Sequence, residues 1–129
     1  MKLEHIALNI TDSKEVIDFY QNVLGMVERK FFLLEKELAK QFFSISKDTS
    51  VYLMQKDELF LELFVVDKSY NQGFNHICVE VEKREDIVSK AQDNSYECIR
   101  RKREHFDQIF ITDKSGNIFE VKNVDKNLN

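Results

Sequence analysis

The sequence predicts an α+β protein of two tandem βαβββ modules, each forming a curved mixed sheet, and three observations carry that prediction. The stretch Phe74-Asn75-His76-Ile77-Cys78-Val79-Glu80-Val81 reads almost as a copy of Leu3-Glu4-His5-Ile6-Ala7-Leu8-Asn9-Ile10. At an offset of 71 positions His5 falls on His76, Ile6 on Ile77, Leu8 on Val79 and Ile10 on Val81. Both stretches alternate apolar and polar residues, the period of a half-buried strand. Helix-like segments follow each, Ser13 to Tyr20 and Arg84 to Ala91, with Val16-Ile17 lying on Ile87-Val88. Each half then has a later strand with one carboxylate inside an apolar run, Phe60-Leu61-Glu62-Leu63-Phe64 and Ile118-Phe119-Glu120-Val121.

The elements follow in order. Lys2 to Ile10 is the first strand. Thr11-Asp12-Ser13 offers a helix N-cap, with Glu15 or Asp18 in the next turn. Lys14 to Leu24 carries Val16, Ile17, Tyr20, Val23 and Leu24 at helical spacing, and Gly25 is placed to end that helix. Met26 to Leu33 is the next strand. Leu34 to Phe43 reads as a short helix, because Leu34, Leu38 and Phe42 recur every four residues among good helix formers. Lys47 to Ser50 is a turn. Val51 to Gln55 and Leu59 to Val66 form a hairpin around Lys56-Asp57-Glu58. The polar stretch Asp67 to Gly73 links the modules. The second half gives strand Asn75 to Val81, helix Arg84 to Asp93, strand Tyr96 to Arg101 and strand Gln108 to Thr112. A turn at Asp113-Lys114-Ser115-Gly116-Asn117 and strand Ile118 to Lys122 complete it, and Asn123 to Asn129 reads as a frayed tail.

At 129 residues this is one domain, 1–129, made of module one (1–67) and module two (74–122). The net charge of -4, with no dominant basic face, argues against a nucleic-acid partner. No apolar run approaches the roughly 18 residues of a membrane helix, and Glu4 and Asn9 rule out a signal peptide at the start. Two cysteines, Cys78 and Cys98, are too few for a disulfide framework. They read as buried reduced thiols, which fits the cytoplasm. Arg100, Arg101 and Arg103 read as a solvated edge strand, and His105 as part of a polar turn. Exposed sheet edges and apolar concave surface predict a homodimer.

Alternation decides which side chains share a face. Leu61, Leu63 and Val65 form a core stripe, so Phe60, Glu62, Phe64 and Val66 point away from it. Ile77, Val79 and Val81 leave His76, Cys78 and Glu80 on the other side. Phe119 and Val121 do the same for Glu120. His5, Glu62, His76 and Glu120 thus all stand on the side away from the helices, with Phe60, Phe64 and Phe74 as apolar neighbours. Two imidazoles and two carboxylates at repeated positions suit a divalent transition metal (Zn, Ni, Co, Fe or Mn) with open positions for a small-molecule substrate.

The chain resembles the vicinal oxygen chelate superfamily, also called the glyoxalase/bleomycin-resistance/dioxygenase superfamily. The matching residues are His5-Ile6-Ala7-Leu8, Asp18-Phe19-Tyr20 with Val23-Leu24-Gly25-Met26, and Leu61-Glu62-Leu63-Phe64. In the second half they are His76-Ile77-Cys78-Val79 and Asp113-Lys114-Ser115-Gly116-Asn117-Ile118-Phe119-Glu120, with Lys114 where the family usually has proline. The resemblance implies a metal held by His5, Glu62, His76 and Glu120, and a substrate chelating it through two neighbouring oxygens. In lyase and epimerase members the metal stabilises an enediolate or enolate while a carboxylate moves the proton, a role open here to Glu120 or Glu62. Lactoylglutathione lyases share this His, Glu, His, Glu set. In many bacterial members an arginine four residues after the first histidine and an asparagine four after the first glutamate hold the glutathione carboxylate. Asn9 and Val66 stand there instead, so a glyoxalase-I-like lyase or isomerase is expected on a substrate other than glutathione. Methylmalonyl-type epimerases carry Gln where Glu62 stands. Ring-cleaving dioxygenases need only two histidines and one carboxylate. A non-catalytic binding protein of the bleomycin-resistance kind is the remaining alternative.

Overall fold

The computed structural model describes residues 3–67 and 75–124. The chain divides into two compact units, Met1–Gln72 and Gly73–Asn129. The first carries β1 (Ile6–Ile10), β2 (Val27–Leu34), β3 (Thr49–Lys56) and β4 (Leu59–Val65), in the sheet order β1-β4-β3-β2. The second repeats this with β5 (Ile77–Val81), β6 (Glu97–Lys102), β7 (Asp107–Thr112) and β8 (Ile118–Asn123), in the order β5-β8-β7-β6. In each unit the first and last strands pair in parallel and the other neighbours antiparallel. The mixed sheets are curved and do not close. The duplication expected from the 71-residue offset is therefore a duplication of topology as well as of sequence.

In the first unit the alternation buries one face. Leu8, Ile10, Met54, Leu61 and Leu63 are fully buried. The segment predicted as the helix Lys14 to Leu24 is instead π-helical over Val16–Gln21. The N–H groups of Asn22 and Leu24 bond five residues back, to Ile17 and Phe19. Phe19 and Tyr20 lie edge-on, 5.0 Å apart, and both are fully buried. A wider turn lets two adjacent aromatics point inward together, where an ordinary α-turn would rotate them further apart. The predicted ends hold. Asp12 Oδ1 accepts the Lys14 N–H at 2.9 Å, and Gly25 adopts a φ of 73°. Lys56 Nζ donates to the Leu24 carbonyl at 3.0 Å, placing a cation at the C-terminal end of the segment.

The helix expected near Leu34 to Phe43 is α1 (Lys36–Phe43). Asp48 Oδ1 accepts its first N–H at 2.8 Å, and Ser44 closes it in the left-handed region at φ 59°. Its packing corrects the sequence reading. Phe64 and Val66 were expected on the face away from the helices, yet both are buried with Ala39 of α1, Ile45 and Val51, bordered by Phe32 and Leu34. Phe43 meets the Phe64 ring edge-on at 5.0 Å. Phe64 pairs with Val51, and Val51 with Phe32, so this second cluster lies on the face that carries Glu62. Alternation identifies which residues share a face; it does not show that a later helix will fold back over it. Phe60 remains half-exposed, and Phe74 lies outside the described residues.

In the second unit α2 (Arg84–Asp93) packs on β6 and β8 and buries Ile87, Val88 and Ala91. Arg100 of β6 bonds both oxygens of Glu85 in α2 and reaches Asp107 Oδ2 at 3.1 Å. Its guanidinium is thus engaged by carboxylates, whereas Arg101 and Arg103 are exposed as expected. Cys78 is exposed and Cys98 half-buried, both as free thiols, so neither is the buried cysteine predicted. No helix among the described residues is long and apolar enough to cross a membrane.

The turn between β7 and β8 is organised by Asp113, which is 4% exposed. Its Oδ1 accepts the N–H groups of Ser115 and Asn117 at 2.9 and 2.8 Å, and its Oδ2 accepts Asn117 Nδ2 at 2.9 Å. Gly116 takes a φ of 92°. This turn sets the register that places Phe110 opposite Glu120. Replacing Asp113 by Ala removes three hydrogen bonds, one of them side chain to side chain in a buried setting. The expected loss is about 2–3 kcal/mol in urea unfolding, and an unchanged midpoint would show that the turn holds its shape without the carboxylate.

Candidate functional site

In the first unit His5 stands one residue before β1 rather than within a strand. The parallel register pairs Ala7 with Glu62. By alternation His5 shares the face of Ala7, so it stands two residues upstream of the glutamate's cross-strand neighbour. His5 Nε2 lies 3.1 Å from Glu62 Oε1. The small Ala7 and the half-buried Leu53 flank Glu62 on either side.

The second unit repeats the arrangement. His76 stands one residue before β5, the register pairs Cys78 with Glu120, and His76 Nε2 lies 3.3 Å from Glu120 Oε1. Here the imidazole is held from two further sides. Its Nδ1 lies 2.9 Å from Asn75 Oδ1, and its ring meets Phe110 edge-on at 5.8 Å. Glu120 is 9% exposed and counts among the few buried charged residues. Cys78, beside it on the same face, has its thiol pKa raised, first by burial and then by the Glu120 carboxylate, with Glu80 adding and Lys122 opposing. Phe110 and Asn75 were not singled out in the sequence. The signal for Phe110 is its strand position opposite Glu120, which needs the pairing to be known.

The donor chemistry of each pair fits a divalent transition metal. Neutral imidazole nitrogen and carboxylate oxygen are its usual N and O ligands. Separations of 3.1 and 3.3 Å are what two ligands each about 2.1 Å from one ion show when they meet it at roughly a right angle. Both ring nitrogens of His76 face acceptor oxygens, and a neutral imidazole can donate to only one. The tautomer that directs Nδ1–H at Asn75 leaves the Nε2 lone pair facing the site, as a metal ligand requires. Among the described residues no three His, Cys, Asp or Glu side chains gather into one metal cluster; the donors come as two pairs.

A groove of about 1110 Å³ in the second unit reaches Glu120 and runs past Glu80, Lys122 and Arg84 to His105 and Phe106. His105, expected to be a plain turn residue, is exposed and also lies near Glu104, at 3.7 Å. Arg84 Nη1 donates to the Asp107 carbonyl at 2.9 Å, and its backbone N–H to Asn123 Oδ1 at 2.9 Å. Val66, at the position where an asparagine would serve glutathione, is buried beneath α1.

The fold has parallels in known proteins. The family model of the Glyoxalase/Bleomycin resistance protein/Dioxygenase superfamily matches residues 2–121. No curated protein matches the sequence. Among solved structures, a glyoxalase family protein from Bacillus cereus is similar at a TM-score of 0.76, with 14% identity over 95% of this chain and 93% of that one. The fosfomycin resistance protein FosX from Listeria monocytogenes gives a TM-score of 0.72, with 17% identity over 98% and 95%. A glyoxalase family protein from Enterococcus faecalis gives 0.69, with 17% identity over 93% and 95%. A mutant of the Listeria protein has been solved with Mn(II) and 1S,2S-dihydroxypropylphosphonic acid. With the family model covering nearly its whole length, the chain belongs to the Glyoxalase/Bleomycin resistance protein/Dioxygenase superfamily.

Proposed function

We propose that this protein is a divalent-metal-dependent enzyme, a lyase or isomerase, acting on a small molecule that offers the metal two neighbouring oxygens. His5, Glu62, His76 and Glu120 are its metal ligands. The observation that carries this reading is the repeated placement of a histidine against a glutamate by the same parallel register in both units. Two ligands leave most of an ion's coordination open, and the repeat supplies a second pair of the same donor types. The ligand types admit Zn, Ni, Co, Fe or Mn, and the Listeria relative holds Mn(II) together with a compound bearing two adjacent hydroxyls.

When bound, the metal supplies Lewis acidity, which lowers the pKa of a carbon acid beside a carbonyl. The protein's own residues do the rest. His76 is oriented by Asn75 and Phe110 so that Nε2 stays directed at the site. Glu62 or Glu120 would take the proton from carbon and, in an isomerisation, return it to the neighbouring carbon. Asn9 and Val66 stand where residues holding the glutathione carboxylate are expected, which argues against glutathione as the substrate. The working form is a cytoplasmic homodimer of single-domain chains, in keeping with the two free thiols.

Elemental analysis of untagged protein should find roughly one transition metal per chain, and none in His76→Ala, since loss of one of four ligands from a single ion removes it. Two metals per chain, with one kept in His76→Ala, would mean that the pairs act separately. No metal after reconstitution would sink the enzyme reading in favour of a binding protein. Affinity should fall as pH falls, because protons compete for the imidazoles; titration of Mn(II) binding against pH reads this directly. Asn75→Ala should weaken metal binding on the order of tenfold by releasing the His76 ring, and unchanged affinity would deny Asn75 that orienting role.

A further inference from the structure

We infer that α1 makes the His5–Glu62 pair selective for ligands that carry an apolar group, aromatic or branched, next to their metal-chelating oxygens, with Phe43 as the discriminating side chain. The inference rests on the metal-site reading above and adds the substrate class to it. Glu62 and Phe64 are two residues apart on one strand and point to the same side, so their Cα atoms lie about 7 Å apart. Phe43 stacks edge-on against Phe64 at 5.0 Å, which brings the C-terminal end of α1 to the row beside the His5–Glu62 pair.

The burial pattern separates what holds α1 down from what it presents. Ala39 is fully buried and Phe64 only 4% exposed, so the helix is anchored through Ala39, Ile45, Val51, Phe64 and Val66. Phe43 is 52% exposed although one edge is packed. The exposed part of Phe43 therefore stands over the Phe64 row, one row along the strand from Glu62, and small-molecule sites combine such apolar surface with a few polar groups. Lys30 shares the Glu62 row through Leu53. Its ammonium lies 5.4 Å from the Phe32 ring centroid, so the cation lies along the α1 side of the face.

The test uses two neutral chelators that bind metals through adjacent oxygens, acetohydroxamate and benzohydroxamate, titrated calorimetrically into Mn(II)-loaded protein. Mn(II) occupancy is read separately by electron paramagnetic resonance. Wild type should prefer benzohydroxamate by about tenfold beyond the preference of free Mn(II), the gain from covering the open half of a phenyl ring. In Phe43→Ala that preference should shrink to within about twofold while acetohydroxamate affinity holds, and Phe43→Leu should keep most of it. Phe31→Ala removes an exposed aromatic on the opposite face and should change nothing. Bound Mn(II) with an undiminished preference in Phe43→Ala overturns this inference alone. Failure to bind Mn(II) overturns the metal-site reading and this inference with it.

Discussion

The parallel pairing of the first and last strand in each unit is the constraint on which the rest depends. Two parallel neighbours cannot be joined by a tight turn, so the chain must leave the sheet and return. The intervening helix and hairpin are what that return is made of. Once β1 lies along β4 in the observed register, Ala7 is opposite Glu62 and the preceding histidine falls on the same face. The same register in β5 and β8 puts Cys78 opposite Glu120 and His76 beside it. Each glutamate is thus held by backbone hydrogen bonding along a whole strand pair, with its histidine one residue beyond the end of that pair.

The two units differ in how that contact is surrounded. In the second, Asn75 and Phe110 hold the imidazole, and Cys78 lies next to the buried carboxylate. In the first, α1 folds over the neighbouring row and turns part of the Glu62 face into a second small core. The extra helix also accounts for the unequal offsets in the sequence, 71 between the histidines and 58 between the glutamates. Duplication supplied two equivalent donor pairs, and divergence outside the paired strands gave each its own environment. Arg100 shows the same division of labour on the other side of the second sheet. Its carboxylate partners Glu85 and Asp107 tie α2, β6 and β7 together there, away from the face of Glu120.

Strand period and internal repetition are local signals, and they were enough to identify every strand, α2, the Gly25 stop and the face on which the four candidate ligands stand. His5 and Glu62 are far apart in the chain and were singled out because His76 and Glu120 repeat them; that they meet as two separate pairs is seen only in the structure. What failed were the inferences that depended on distant packing. Phe64 and Val66 alternate as outward residues should, and only the return of α1 buries them. Cys78 and Cys98 have the composition of buried thiols but lie on an open face and on an edge strand. Val16 to Gln21 has helical spacing, while the demand to bury Phe19 and Tyr20 side by side widens the turn.

The sequence by itself determined the α+β class, the duplicated βαβββ order and the repeated positions of the two histidines and two glutamates proposed as ligands, because alternation and repetition are properties of the chain alone. Tertiary structure alone decided the 3.1 and 3.3 Å contacts within each pair, the roles of Asn75 and Phe110, and the covering of one face by α1. Register and helix docking are set by which surfaces exclude water together, and that is a relation between segments that no single segment encodes.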